Sequence, residues 1–585
     1  MRGSGDSRGR HAWLHAATRG NGPYVVLLVL LNLLFFGDIL FTENTYFYRD
    51  IAGYHHPLKK LVTEAYERGQ WPLWNPYIQF GQPLLANPNA MALYPTQLLF
   101  HLLPFDWAFD LNLVLHALVG GIGAFYLARA LNFSPIAALA VGIAFNFNGV
   151  VLSLVNLPLL AAMAGLFPWL ALFLQKAIHN PSAIRLIGLS VLFCLLFMLL
   201  EPLTTAAVFL FLVPFGVYVF LTRQSGVSCP KVTLRLLLVL VSAVLLAGVQ
   251  LVPAVEMINN SGRIGGVSFD IASFWSIHPL NLTQMLFPKV WEDTFDLADD
   301  DSLRFSAFSE SREPYLVSCY GGLACLVMAL LGLLYSEKIA LKRLLVAISL
   351  IAVVLALGKY TPVYGWLYHH VSPFRYGRFP SKYLLTLAMS FSLLVGLGID
   401  QLRALALKSR IPGGKRRFLS FLLVTASLLV FAGLLALSSS WEKAGFDIKD
   451  NLVKLSYQGS DVKLQMSLIR EAVFYLCLVV SGSLIGVFVA WYRVGSSLSV
   501  VLVTALIFFD LLTNHSVNPV IPSRVYERPP VADWLLERYS DEGLSRVYHP
   551  ISEGPIRILG KTDSLIWRIV FSRLAVGPYG GVGDH

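Results

Sequence analysis

Long apolar runs separated by short polar breaks restrict this chain's fold more than any motif does. A helix crossing the hydrocarbon core of a bilayer needs roughly 20 mostly apolar residues. Thirteen runs approach that length, at about 24–41, 111–130, 136–154, 158–175, 185–199, 203–222, 233–254, 316–335, 342–358, 383–402, 418–437, 471–492 and 498–514. Of the 585 residues, 56% are hydrophobic and only 14% charged, which excludes a soluble multidomain protein. The expectation is an all-α polytopic membrane protein with about 13 transmembrane helices over 23–515. A disordered segment 1–22, rich in Gly, Arg and Ser, precedes it, and a small segment 516–585 follows.

The first run follows Arg2, Arg8, Arg10 and Arg19, but it is full length and lacks a small-residue cleavage site, so it reads as a retained anchor. An odd helix number puts the termini on opposite sides. Placing the N-terminus in the cytoplasm leaves 20 Lys and Arg inside and 25 outside, but the topological rule weighs short loops. The short loop holding Arg403, Lys408, Arg410, Lys415, Arg416 and Arg417 is strongly basic, whereas the turns at Asn156 and Pro202 have no Lys or Arg. The expected topology is N-terminus cytoplasmic and C-terminus extracytoplasmic.

Four loops then face outward, at about 42–107, 255–315, 359–382 and 438–470. In the first, Leu58, Leu61, Val62, Ala65 and Tyr66 recur at helical spacing between charged residues, which predicts an amphipathic helix suited to the bilayer surface. The Pro- and Asn-rich stretch after it predicts irregular structure, with Trp71, Trp74, Tyr77 and Tyr94 as interfacial anchors or, alternatively, platforms for a sugar ring. The second loop is acidic, but the run from Asp296 through Asp299, Asp300 and Asp301 lacks the spacing and glycine of a Ca²⁺ loop. The third holds Lys359, Arg375, Arg378 and Lys382 and no acid, and the fourth mixes both signs. Beyond 516, a helix-like PPVADWLLERYS and possible strands at 546–549 and 566–571 precede GPYGGVGDH, which reads as an interrupted loop.

The net charge of +10 is spread over membrane-flanking loops with no nucleic-acid motif, so a nucleic-acid partner is excluded. Cys194, Cys319, Cys325 and Cys477 lie in apolar runs and Cys229 in an inner loop, which argues against disulfides and a Cys metal site. Ionisable groups near the membrane are costly and tend to face protein or water. Asp38, Asp50, Glu201 and Asp510 fall near the outer face and Asp400 toward the inner one, so four acids and the basic third loop together define a polar cleft open to the outside. In such a cleft Asp50 could act as a base while Arg378 and Lys382 hold a phosphate, although snorkelling to lipid headgroups explains Arg375, Arg378 and Lys382 equally simply. His55–His56 and His369–His370 could join Asp50 around a divalent metal, yet adjacent histidines point to different sides of an element. A metal requirement stays open. A proton relay through Glu201 or Asp510 is the transporter alternative, for which no internal repeat is found.

Several segments, in order, resemble the YfhO-type bacterial membrane proteins, which belong with the GT-C class of glycosyltransferases. They are YRDIAGYHHP, WPLWNPYIQFGQPLLANPNAMALYP, IAFNFNGVVLS, FPWLALFLQKAI, LLEPLTTAA and LGKYTPVYGWLYHHVSPFRYGRFPSKYLLTLA. The resemblance implies a GT-C-like enzyme of the bacterial cytoplasmic membrane that moves sugar, with inversion, from a polyprenyl-phosphate carrier to a cell-envelope glycan or lipid acceptor. It places the catalytic acid at Asp50 and the donor-phosphate residues at Arg378 and Lys382; Arg375, Tyr54, His55 and Glu201 are further substrate-binding candidates of the cleft. Asp50 stands without the paired acid of some GT-C enzymes, and the C-terminal segment is short, so metal and acceptor are not implied. The alternatives are a transporter or flippase of lipid-linked glycans and a non-enzymatic assembly factor.

Overall fold

The computed structural model describes residues 20–48, 50–78, 81–222, 228–285, 314–408 and 496–526. The apolar runs 418–437 and 471–492, the acidic run 296–301, the fourth loop and nearly all of the C-terminal segment lie outside these residues. The described chain is a helical, multi-pass membrane protein with two small antiparallel ladders. Its principal helices are α1 (Gly22–Phe35), α2 (His56–Glu67), α3 (Phe105–Ala130), α4 (Pro135–Asn146), α5 (Gly149–Val155), α6 (Pro158–His179), α7 (Ala183–Met198) and α8 (Pro202–Thr222). They continue with α9 (Cys229–Asn259), α10 (Leu323–Tyr335), α11 (Ile339–Ala356), α12 (Pro362–His370), α13 (Leu384–Lys408) and α14 (Ser496–Leu511).

The expected count of about 13 spans is corrected. Among the described residues six helices are long and apolar enough to cross a bilayer, or seven if α4 and α5 form one bent span. Hydropathy measures how apolar a run is, not whether one helix runs through it. The run 136–154 is broken at Asn148, whose side chain accepts from the Val150 amide at 3.0 Å and so starts a new helix bent 51° from the first. The run 316–335 becomes helical only from Leu323, because Gly322 adopts φ 90° and the Tyr320 carbonyl is engaged by the Gly149 amide at 2.9 Å. Helix α1 spans 14 residues and α7 spans 16.

Small residues allow the tight packing of the core. Gly398 of α13 lies so close to the Met328 carbonyl of α10 that a methyl group there would collide with it. Outer faces carry exposed Leu237, Leu245 and Val252 on α9, as expected of a lipid-facing surface.

One end of the bundle is covered by the loops. Strand β1 (Asn44–Tyr46) pairs with β4 (Val520–Pro522), while β2 (Trp74–Asn75) pairs with β3 (Gln82–Pro83). Helix α2 is amphipathic as expected, but its inner face is covered by its own loop: Leu58 and Val62 pack against Leu84, Ala90 and Ala92. Lys59 on that face is buried and donates to the Met91 carbonyl at 3.3 Å. Gln250 of α9 donates to the Leu85 carbonyl at 2.9 Å, which ties the loop to the bundle. Trp71, Leu73, Trp74 and Tyr77 remain exposed on it.

Candidate functional site

Three loops converge at that end. In the first, Asp50 precedes a wide π-helical turn, Ile51–His55, whose Ile51, Ala52 and His55 are buried. Such turns are frequent at functional sites. Burial of its neighbours leaves the Asp50 side chain exposed, with no hydrogen bond or ion pair among the described residues. Tyr54, one turn on, accepts from Asn87 Nδ2 at 2.8 Å. Burial pushes its phenol up, the Asn87 contact works against that, and the charges of Asp50 and Arg263 both reach it.

The third loop is built around Phe379, a bulky residue with φ 74°. Its amide donates to the Ala272 carbonyl at 3.2 Å, and its ring packs on Trp275 at 4.5 Å and Tyr315 at 4.9 Å. Arg378 lies over the Phe379 ring at 4.9 Å, and Lys382 over the same ring at 5.0 Å. The half-buried Arg378 guanidinium has no hydrogen-bond acceptor among the described residues. Burial and the neighbouring Arg263 lower its pKa, while Tyr315, Glu201 and Asp50 oppose that. The charge of Asp50 thus reaches Arg378 from the first loop.

Lys382 is only 6% exposed, and its Nζ donates to Glu201 Oε1 at 2.7 Å. Glu201 caps α8, its other oxygen accepting from the Thr204 amide. Burial raises the Glu201 carboxyl, but Lys382 and Thr204 outweigh it and hold the pKa below the usual range. A buried pair of this kind leaves Lys382 fewer free donors than its sequence position suggests.

The structure separates the remaining candidates. Arg375 donates to the carbonyls of His369 at 3.0 Å and Tyr368 at 3.3 Å, closing the C-terminal end of α12. His55 is buried, which pushes its pKa down to about 4 against the pull of Asp50, and its Nδ1 has no partner among the described residues. Burial thus favours its neutral form. His56 stacks on Tyr526 at 3.7 Å and meets Asp106 at 3.3 Å, while His370 meets the Trp366 carbonyl at 2.8 Å. Among the described residues no group of three or more His, Cys, Asp or Glu is placed to hold a metal ion.

Of the acids expected in one cleft, Asp38 pairs with His515 at 3.3 Å. Asp510 is buried, accepting from the Ala324 amide at 2.7 Å and the Tyr320 hydroxyl at 2.5 Å. Asp50 and Glu201 are the two that act on Arg378. Arg263, in the turn after α9, is the member that sequence reasoning missed. Its only signal is a lone cation in SGRIGG, within a loop otherwise dominated by acids.

No family model and no curated protein matches the chain. Among solved structures, the crystal structure of ArnT from Cupriavidus metallidurans bound to undecaprenyl phosphate is similar, at 14% identity over 89% of this chain and 81% of that one. The TM-score is 0.39, and at that level the likeness carries no argument about this chain's reaction.

Proposed function

We propose that the protein is a membrane glycosyltransferase of GT-C type that moves a sugar from a polyprenyl-phosphate carrier to a cell-envelope acceptor. The observation that carries this reading is that the charge of Asp50, an exposed carboxylate, reaches Arg378, a half-buried guanidinium, while neither makes a hydrogen bond or ion pair among the described residues. The YfhO-type segments named above point to the same residues. Asp50 takes the proton of the acceptor hydroxyl, whose oxygen bonds to the anomeric carbon of the donor sugar. The bond from that carbon to the phosphate oxygen breaks, and Arg378 receives the negative charge left on the phosphate. A single displacement of this kind inverts the anomeric configuration. Lys382, held by Glu201 and lying over the same Phe379 ring as Arg378, positions that arginine.

In this reading the loop end faces outward from a bacterial cytoplasmic membrane. The basic residues Arg129, Lys338 and Arg403 cluster at the opposite end, as the positive-inside rule asks of a cytoplasmic face. The test is transfer by purified protein in lipid, given a polyprenyl-phosphate sugar and envelope acceptors. Asp50→Asn is expected to lower the rate by on the order of 10²–10⁴. Movement of lipid-linked glycan across vesicles without any sugar transfer sinks the enzyme reading in favour of a transporter.

A further inference from the structure

We infer that Arg263 and Arg378 together form the seat for a phosphoryl group carried on a lipid, and that Lys382 is a positioning residue beneath it. The proposal rests on the reading above only for the kind of lipid that carries the phosphate. Its basis is a loop docking that sequence does not show. The Val267 amide donates to the Arg375 carbonyl at 2.8 Å, and the Tyr368 hydroxyl donates to the Val267 carbonyl at 2.6 Å. Gly266, at φ 96°, lies so close to Arg375 that a Cβ would sit 2.7 Å from its side chain and from its carbonyl oxygen. These contacts lock the turn after α9 onto the basic loop, where the exposed Arg263 influences Arg378, Lys382 and Tyr54.

Two guanidinium groups whose charges reach one another repel, and each favours an anion between them. Neither finds a hydrogen-bonding or ionic partner among the described residues. Guanidinium presents a planar fork of donors that matches phosphate in bidentate fashion, whereas a lysine offers a point charge. Lys382 is further limited by its bond to Glu201 and its 6% exposure. Its place under Phe379, with Arg378 on the same ring, makes it a prop for the arginine.

The experiment uses the full chain in nanodiscs of phosphatidylcholine, titrated with farnesyl phosphate and, as the control without phosphate, farnesol. Arg263→Ala and Arg378→Ala are each expected to weaken farnesyl phosphate binding about tenfold or more, the scale of a charge-assisted hydrogen bond, and to leave farnesol binding unchanged. Because Arg263 is exposed, its replacement leaves the core intact. The double variant Lys382→Met with Glu201→Gln, which removes the pair together, is expected to weaken binding less than Arg263→Ala does. The seat is overturned if Arg263→Ala leaves farnesyl phosphate affinity unchanged, or if the double variant has the larger effect. It is also overturned if phosphatidylglycerol competes as well as farnesyl phosphate, since the arginines are then bulk headgroup anchors. Loss of farnesyl phosphate binding in Arg263→Ala, in a protein that transfers no sugar, keeps the seat and removes the reaction. Transfer with an unchanged KM in that variant does the reverse.

Discussion

The two ends of the helix bundle use their charges differently. At the end holding the N-terminus of α1, three charged side chains bridge separate elements. Arg129 donates to Asn21 Oδ1 at 3.0 Å and to the Phe133 carbonyl, Lys338 donates to the Leu131 carbonyl at 2.9 Å and the Asn132 carbonyl at 3.1 Å, and Asp400 accepts from the Ser134 amide at 3.2 Å. At the loop end, Asp50, Arg263 and Arg378 make no such bonds among the described residues, and one ion pair, Glu201–Lys382, is buried beneath them. A polar group without an intramolecular partner contributes little to folding and is available to a ligand. The charges of Arg129, Lys338 and Asp400 join helices at the first end, while at the second Lys59 and Arg375 are tied to carbonyls and Asp50, Arg263 and Arg378 are left available to a ligand.

The largest expected effect on stability lies with the buried pair. Glu201→Gln leaves Lys382 buried without a full counter-charge, and removal of one partner from such a pair costs about 3–5 kcal/mol, readable as denaturant or thermal unfolding in lipid. The folded Glu201 pKa lies below its unfolded value, so its contribution is present above the ordinary carboxylate range and is lost as pH falls through the folded pKa. The Gln variant is expected to lack that acid-side loss, and an unchanged acid profile removes Glu201 from this role.

Lys59, also at the loop end, is expected to act with the same sign but in the alkaline range. Burial pushes its pKa down to about 7. The unfolded chain keeps the lysine proton to about pH 10.4, so between these values the unfolded state binds more protons and stability rises with pH. Lys59→Met should abolish that rise, which amounts to at most about 1.4 kcal/mol per pH unit. Parallel pH profiles for wild type and variant contradict the burial argument.

The smallest effect is expected at the other end. Asp400→Ala removes the acceptor for the Ser134 amide and should lower stability by about 1 kcal/mol, with transfer and phosphate binding untouched. If Asp400→Ala impairs transfer as much as Asp50→Asn does, the division of labour between the ends is wrong.

Much of this architecture is legible in the amino-acid sequence. Apolar composition identifies a multi-pass membrane protein, and helical spacing identifies α2 within its loop. Asp50, Glu201, Arg378 and Lys382 stand out because ionisable residues flanking apolar runs are few. Other features are hidden. The span count differs among the described residues because a capping Asn148 and a left-handed Gly322 interrupt apolar runs and because α1 and α7 are shorter than a full span. Arg375 looks equivalent to Arg378 in the sequence, yet its guanidinium closes α12. The two histidine pairs have the residue type of metal ligands, but His55 is buried and His56 is stacked against Tyr526.

Composition and periodicity are local properties, so the sequence by itself determined the solvent this protein folds in, the kind of element it uses and the scarce charges worth watching. Which charges remain free was decided only by tertiary structure. Lys382 is neutralised by Glu201 from 181 positions away, and Arg263 reaches Arg378 because the Val267 amide meets the Arg375 carbonyl. Partners so distant along the chain meet through helix packing and loop docking, and no local pattern encodes that meeting.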